Sequence, residues 1–133
     1  MIFSHEKLKV YQKSIDFIEF TNKVFTVNNF ISAHDQLDRV STSIPLNIAE
    51  GTGKYSNNDK YRFYDIARGS ALECAACLDV LFKRGRLSNE LNELGKSILF
   101  EIVSMLIGLI KSTSNRVYEE AIEYSNNEIS ENS

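Results

Sequence analysis

The sequence predicts an all-α protein, an up-and-down left-handed four-helix bundle, and three observations carry the prediction. Apolar residues recur at steps of three and four through four long segments, and no strand-like alternation competes with them. Cap signals bound the segments and short stretches join them, which favours antiparallel neighbours. One proline and six glycines in 133 residues leave little material for a many-turned β fold or a linker-rich chain. That length suits one hydrophobic core. We expect a single domain over residues 1–122 and a polar, acidic, disordered tail over 123–133.

The expected helices cover about residues 4–27, 33–51, 57–84 and 88–112 or beyond. The first takes Ser4 as its N-cap, with Phe3 and Leu8 placed as a hydrophobic staple. It carries two apolar rows. Leu8, Tyr11, Ile15, Ile18 and Phe25 form one, and Val10, Phe17, Phe20, Val24 and Val27 lie about 200° round the helix at ~100° per residue. A monomer's surface helix needs one apolar face. Phe17, Phe20, Val24 and Val27 are therefore the candidate oligomer interface.

Asn28-Asn29-Phe30-Ile31 reads as a break, and Ser32 with Asp35 as a capping-box-like start to the second helix. That helix carries Leu37, Val40, Ile44 and Ile48 on one stripe and ends at Gly51-Thr52-Gly53. Pro45 lies inside it and is expected to kink it, because the ring removes one backbone bond. Ser56 caps the third helix, and Gly85 suits its C-terminal stop. Between residues 67 and 77 eight of eleven side chains are small, which lets a neighbour come close. Ser88 caps the fourth helix, where Ile98, Ile102, Met105 and Leu109 share one stripe and Leu99, Val103, Leu106 and Ile110 another.

Fifteen basic against eighteen acidic side chains give a formal −3. Residues 119–133 hold five acids and no base, so residues 1–118 carry a formal +2. The acidity is a property of the chain's end. The most apolar stretch, 98–110, is interrupted by Glu101, Ser104 and Gly108 and falls short of the ~20 residues a bilayer needs. The N-terminus lacks the basic start and apolar run of a signal peptide. A cytoplasmic protein with no membrane partner is expected.

A polar row accompanies the apolar stripe of the second helix. Gln36, Arg39, Ser43, Asn47 and Glu50 share one face, and Ser70, Glu73 and Cys77 share one on the third. Antiparallel pairing sets Arg39 opposite Ser70 and Glu73, with Arg68 nearby in the same helix. A buried Arg39–Glu73 pair is expected, as a register-setting network or a polar ligand site.

The string Gln36-Leu37-Asp38-Arg39-Val40-Ser41-Thr42-Ser43-Ile44-Pro45-Leu46-Asn47-Ile48-Ala49-Glu50-Gly51 resembles the signature of one small bacterial family. So does Tyr61-Arg62-Phe63-Tyr64-Asp65-Ile66-Ala67-Arg68-Gly69-Ser70-Ala71-Leu72-Glu73. The family is that of four-helix-bundle proteins first described as encoded in 23S rRNA intervening sequences, sometimes labelled ribosomal. The accessory variability determinant of diversity-generating retroelements is a relative. The likeness covers about residues 3–112. It implies a subunit of a ring-shaped homo-oligomer, typically a pentamer, and in the retroelement members a basic ring surface for nucleic acid and a reverse transcriptase.

Chemistry-bearing motifs are sparse. Cys74-Ala75-Ala76-Cys77 has redox spacing but lies mid-helix among alanines, where a small-residue core or interface pair fits better. Gly51-Thr52-Gly53-Lys54 lacks the upstream glycine and following Ser/Thr of a phosphate loop. His5, His34 and the carboxylates form no acid–base or metal set, so no enzyme, metal or cofactor is expected. Lys83, Arg84 and Arg86 form the densest basic cluster. It is a candidate RNA or DNA contact, or a complement to the helix dipole. The expected function is a non-enzymatic oligomeric scaffold or adaptor, with a protein adaptor lacking any nucleic-acid role as the alternative.

Overall fold

The structure, a computed structural model, describes residues 1–27 and 31–132, with side chains except those of 31, 33 and 115–132. The first helix starts later than its cap pattern suggests. Ser4–Lys7 is a separate 3-10 turn, and Leu8 follows in extended backbone (φ −78°, ψ 129°). The Glu6 carboxylate accepts from the Phe3 N–H, and the Gln12 side chain donates to the Glu6 carbonyl at 3.0 Å. These bonds close the short turn, so α1 spans Lys9–Val27 rather than 4–27.

α2 spans Ile31–Thr52, which places Ser32 inside the first turn and removes it as the cap. The helical run continues through the buried Pro45. α3 spans Asn57–Lys83, and Ser56 accepts from the Asp59 N–H at 3.1 Å as its N-cap. Gly85 takes the positive φ of 71° that a helix stop favours. Arg86 N–H then reaches Leu81 O at 2.8 Å and Gly85 N–H reaches Phe82 O at 3.0 Å. α4 starts at Asn89 behind Ser88, which accepts from the Leu91 N–H at 3.1 Å.

α4 runs to Asn132. Helix thus covers residues 123–132, where disorder was expected. No glycine or proline follows Gly108 to stop the helix, and polarity alone does not end one.

The four helices form a square in which α1 and α3 each pack on α2 and α4. The α2–α3 and α3–α4 seams are the more extensive. No strand occurs among the described residues. Glycine permits two close approaches. A Cβ on Gly95 would lie 2.6 Å from the Leu78 side chain and the Phe20 ring, locking α4 to α3 and α1. One on Gly51 would lie 3.0 Å from Phe63 Cβ and the Tyr64 ring.

The core corrects the interface expected on α1. Phe17, Phe20 and Val24 face the bundle interior, with Phe17 and Val24 wholly buried. Their row includes Ser14 and Thr21, also buried, whose hydroxyls each donate 2.6 Å back to a carbonyl one turn earlier. That local bond removes most of the cost of enclosing a hydroxyl. Only Val27 of the four is exposed, and the partly open row is the other one, with Ile15 at its outermost position.

Candidate functional site

The polar row of α2 lies along the surface of the α2–α3 seam. Ser43 and Ser70 hydroxyls meet at 2.8 Å, and Asn47 Nδ2 donates to Ser43 O and Oγ at 2.8 and 2.9 Å. The buried Arg39–Glu73 pair does not form. Arg39 donates to Gln36 Oε1 at 2.8 Å, and Gln36 Nε2 donates to Glu73 at 3.4 Å, so Gln36 stands between them. Both charged residues are exposed, because the third helix turns Glu73 outward rather than into the seam. Glu50 and Arg68 make other pairs, Glu50 with Lys54 at 3.9 Å and Arg68 with Asp65 at 3.0 Å. They stand outside the network.

Below Glu73 the seam opens into a groove of about 370 Å³. Ala76, Cys77, Val80 and Leu81 give it an apolar floor, and Gln36 and Arg84 stand on its rim. Burial pushes the Cys77 thiol above its usual range, Glu73 adds to the shift, and Arg39 opposes it. Burial raises Cys74 further, followed by the charges of Cys77 and Glu73. Raised thiols stay protonated at neutral pH, the opposite of what a nucleophile or thiolate ligand requires. No group of three or more His, Cys, Asp or Glu residues among the described residues can hold a metal ion.

Exposed apolar side chains flank α3 on both sides. On the α2–α3 face are Leu46, Ile66 and Val80, and the Ser43–Ser70 bond sets Leu46 level with Ile66. On the α3–α4 face are Leu72, Phe100 and Ile107, placed near one level by the Asp79–Lys96 pair at 3.0 Å. Phe100 is 73% exposed. Neither cluster was singled out from the sequence, since an apolar stripe does not show which of its members a neighbour covers.

Lys83, Arg84 and Arg86 all lie exposed at the α3–α4 turn. At the opposite end, the α2–α3 turn carries Lys54, Lys60 and Arg62 together with Tyr55 and Tyr61. Lys54 Nζ stands 5.1 Å from the centre of the Phe63 ring and Arg62 Cζ 6.0 Å from it. Tyr55 has 104% relative exposure and Tyr61 37%. These tyrosines were missed from sequence, although aromatics interleaved with bases between 54 and 63 were visible. No helix among the described residues is long and apolar enough to cross a membrane.

A family model described as 23S rRNA-intervening sequence protein matches residues 6–108. Among solved structures, the chain is similar to a protein of unknown function from the S23 ribosomal protein family of Bacteroides thetaiotaomicron VPI-5482. The two are 28% identical with a TM-score of 0.70, over 77% of this chain and 98% of that one. No curated protein matches the chain.

Proposed function

The chain belongs to the 23S rRNA-intervening sequence protein family, and from that premise we propose a non-enzymatic scaffold or adaptor built as a ring of identical subunits. The observation that carries this reading is the pair of unlike apolar faces flanking α3. Leu46 and Ile66 mark one, and Phe100 and Ile107 the other. A contact between two different faces of the same subunit is heterologous, and such contacts close into rings when the rotation between subunits allows. Five is the subunit number implied by the family resemblance. The two free cysteines suit a reducing cytoplasm as the place of work.

Native mass measurement of the full chain tests the ring. The expected mass is a whole multiple of 15.1 kDa, five-fold in the pentamer. Phe100→Asp and Leu46→Asp, both at exposed positions, are expected to return the mass to one subunit while circular dichroism stays helical. A wild-type chain that stays at one subunit at micromolar concentration overturns the reading.

The exposed basic turn supports a second reading, in which the scaffold contacts RNA or DNA through Lys83, Arg84 and Arg86. Affinity then falls steeply with salt and falls again when all three become Gln. No binding even at low salt leaves the protein-adaptor alternative.

A further inference from the structure

We propose that the α2–α3 turn is a site for single-stranded nucleic acid, with bases stacking on Tyr55 and Tyr61 and phosphates held by Lys54, Lys60 and Arg62. This deepens the nucleic-acid reading, moves the contact to the opposite end of the bundle and names its chemistry.

Tyr55 is the first support. Its ring has 104% relative exposure, so it contributes no packing to the subunit. A ring so placed leaves both of its faces open to a ligand. Its sequence neighbours, Gly53, Lys54, Ser56, Asn57 and Asn58, are small or polar. An apolar protein partner needs a wider greasy surface than one ring set among such residues. A base needs only the ring face and a nearby cation.

The cations form the second support. Lys54 and Arg62 are both held against the Phe63 ring, at 5.1 and 6.0 Å from its centre. Lys60 is anchored through its Nζ, which donates to Thr52 O at 2.9 Å. Ring contact and hydrogen bonding hold these side chains at the turn before any ligand arrives, which lowers the ordering cost of binding. Asp59 is the one acid between residues 54 and 64, and Glu50 sits 3.9 Å from Lys54.

Among the described residues, the α3–α4 turn itself offers charge without an exposed ring. Among the described residues at the α3–α4 turn, Phe82 is half-buried, Leu87 is buried, and no aromatic residue occurs between 83 and 91. Charge alone binds duplex and single strand with little distinction, whereas exposed rings select unpaired bases, whose faces are open.

Fluorescence anisotropy with labelled oligouridylate and oligothymidylate of about 20 nucleotides, and a duplex of equal length, tests the site. The full-length protein is expected to prefer the single strands, and the RNA and DNA arms show which strand chemistry it favours. Tyr55→Ala with Tyr61→Ala should weaken single-strand binding about tenfold or more, while Tyr55→Phe, which keeps the ring, stays within about twofold. Gln at positions 83, 84 and 86 should leave the single-strand preference intact. Unchanged binding by the double alanine variant overturns the proposal, as does equal affinity for the duplex. A loss confined to the 83/84/86 variant overturns it and keeps the α3–α4 reading, while no binding of any strand at low salt removes both. If Tyr55→Ala lowers the native mass, the ring belongs to a subunit contact and the proposal falls.

Discussion

The two turns that join α3 to its neighbours reverse the chain by different physics. The α3–α4 turn is closed by backbone: Gly85 at φ 71°, two N–H bonds back to Leu81 and Phe82, and Leu87 folded into the core. The α2–α3 turn adds side-chain bonds to its backbone ones, which run from Gly53 N–H to Ala49 O at 3.1 Å and from Lys54 N–H to Gly51 O at 3.2 Å. Thr52 bonds both Ile48 O and the Tyr64 hydroxyl, Lys60 reaches back to Thr52 O, and Tyr55 is left outside. Within the turns themselves, Leu87 is folded inward and Tyr55 is presented outward. The three cations of each turn, Lys54, Lys60 and Arg62 against Lys83, Arg84 and Arg86, thus sit on chemically different surfaces.

The largest effect that separates the ends should come from Gly95→Ala, behind the α3–α4 turn. The new Cβ would meet Leu78 and the Phe20 ring at 2.6 Å, inside a core where both are buried. Overpacking costs roughly 1–3 kcal/mol and alanine returns about 1 kcal/mol of helix propensity. A net loss of up to about 2 kcal/mol in urea unfolding is expected. Thr52→Val comes next, at the other end. It removes two hydrogen bonds and leaves the buried Tyr64 without its Thr52 partner, for a loss of about 1–2 kcal/mol. Gly85→Ala should cost about 1 kcal/mol through its positive φ alone, because nothing lies within 4 Å of the added Cβ. If Gly85→Ala were neutral, the backbone account of the α3–α4 turn would fail.

The helices were legible because caps and periodicity are local. Ser56, Ser88 and Gly85 act at the positions their spacing indicates. What a face touches is not local, and that is where the reading of α1 failed. Ser14 and Thr21 interrupt its inner row as polar letters, yet each cancels its own polarity one turn back and enters the core. The polar seam shows the same limit. Spacing set Arg39 opposite Ser70, where Ser43 stands instead, and it could not show that Gln36 would reach Glu73 ahead of Arg39. Tyr55 escaped because exposure in a turn leaves no period to read.

The smallest expected effect concerns a charge one turn from the sealed end. Asp79 accepts from Lys96 at 3.0 Å and from Asn92 at 3.4 Å, joining α3 to α4. The bond from Lys96 holds its carboxyl below the usual carboxylate range, with partial desolvation opposing and Asn92 assisting. A carboxylate lowered in the folded state stabilises fully above its unfolded value, near pH 4, and loses that contribution as pH falls through the folded value. Because the pair is about half exposed, screening limits it to under ~1 kcal/mol. Asp79→Asn should therefore lower stability slightly at pH 7 and by less as the pH falls through and below 4. Added salt should narrow the gap at pH 7. The same pH series on Thr52→Val should show no such convergence, because its bonds at the α2–α3 end involve no carboxylate. A constant Asp79→Asn deficit from pH 7 down to pH 2 would mean that the residue matters for shape rather than charge, and the electrostatic contrast between the two ends would disappear.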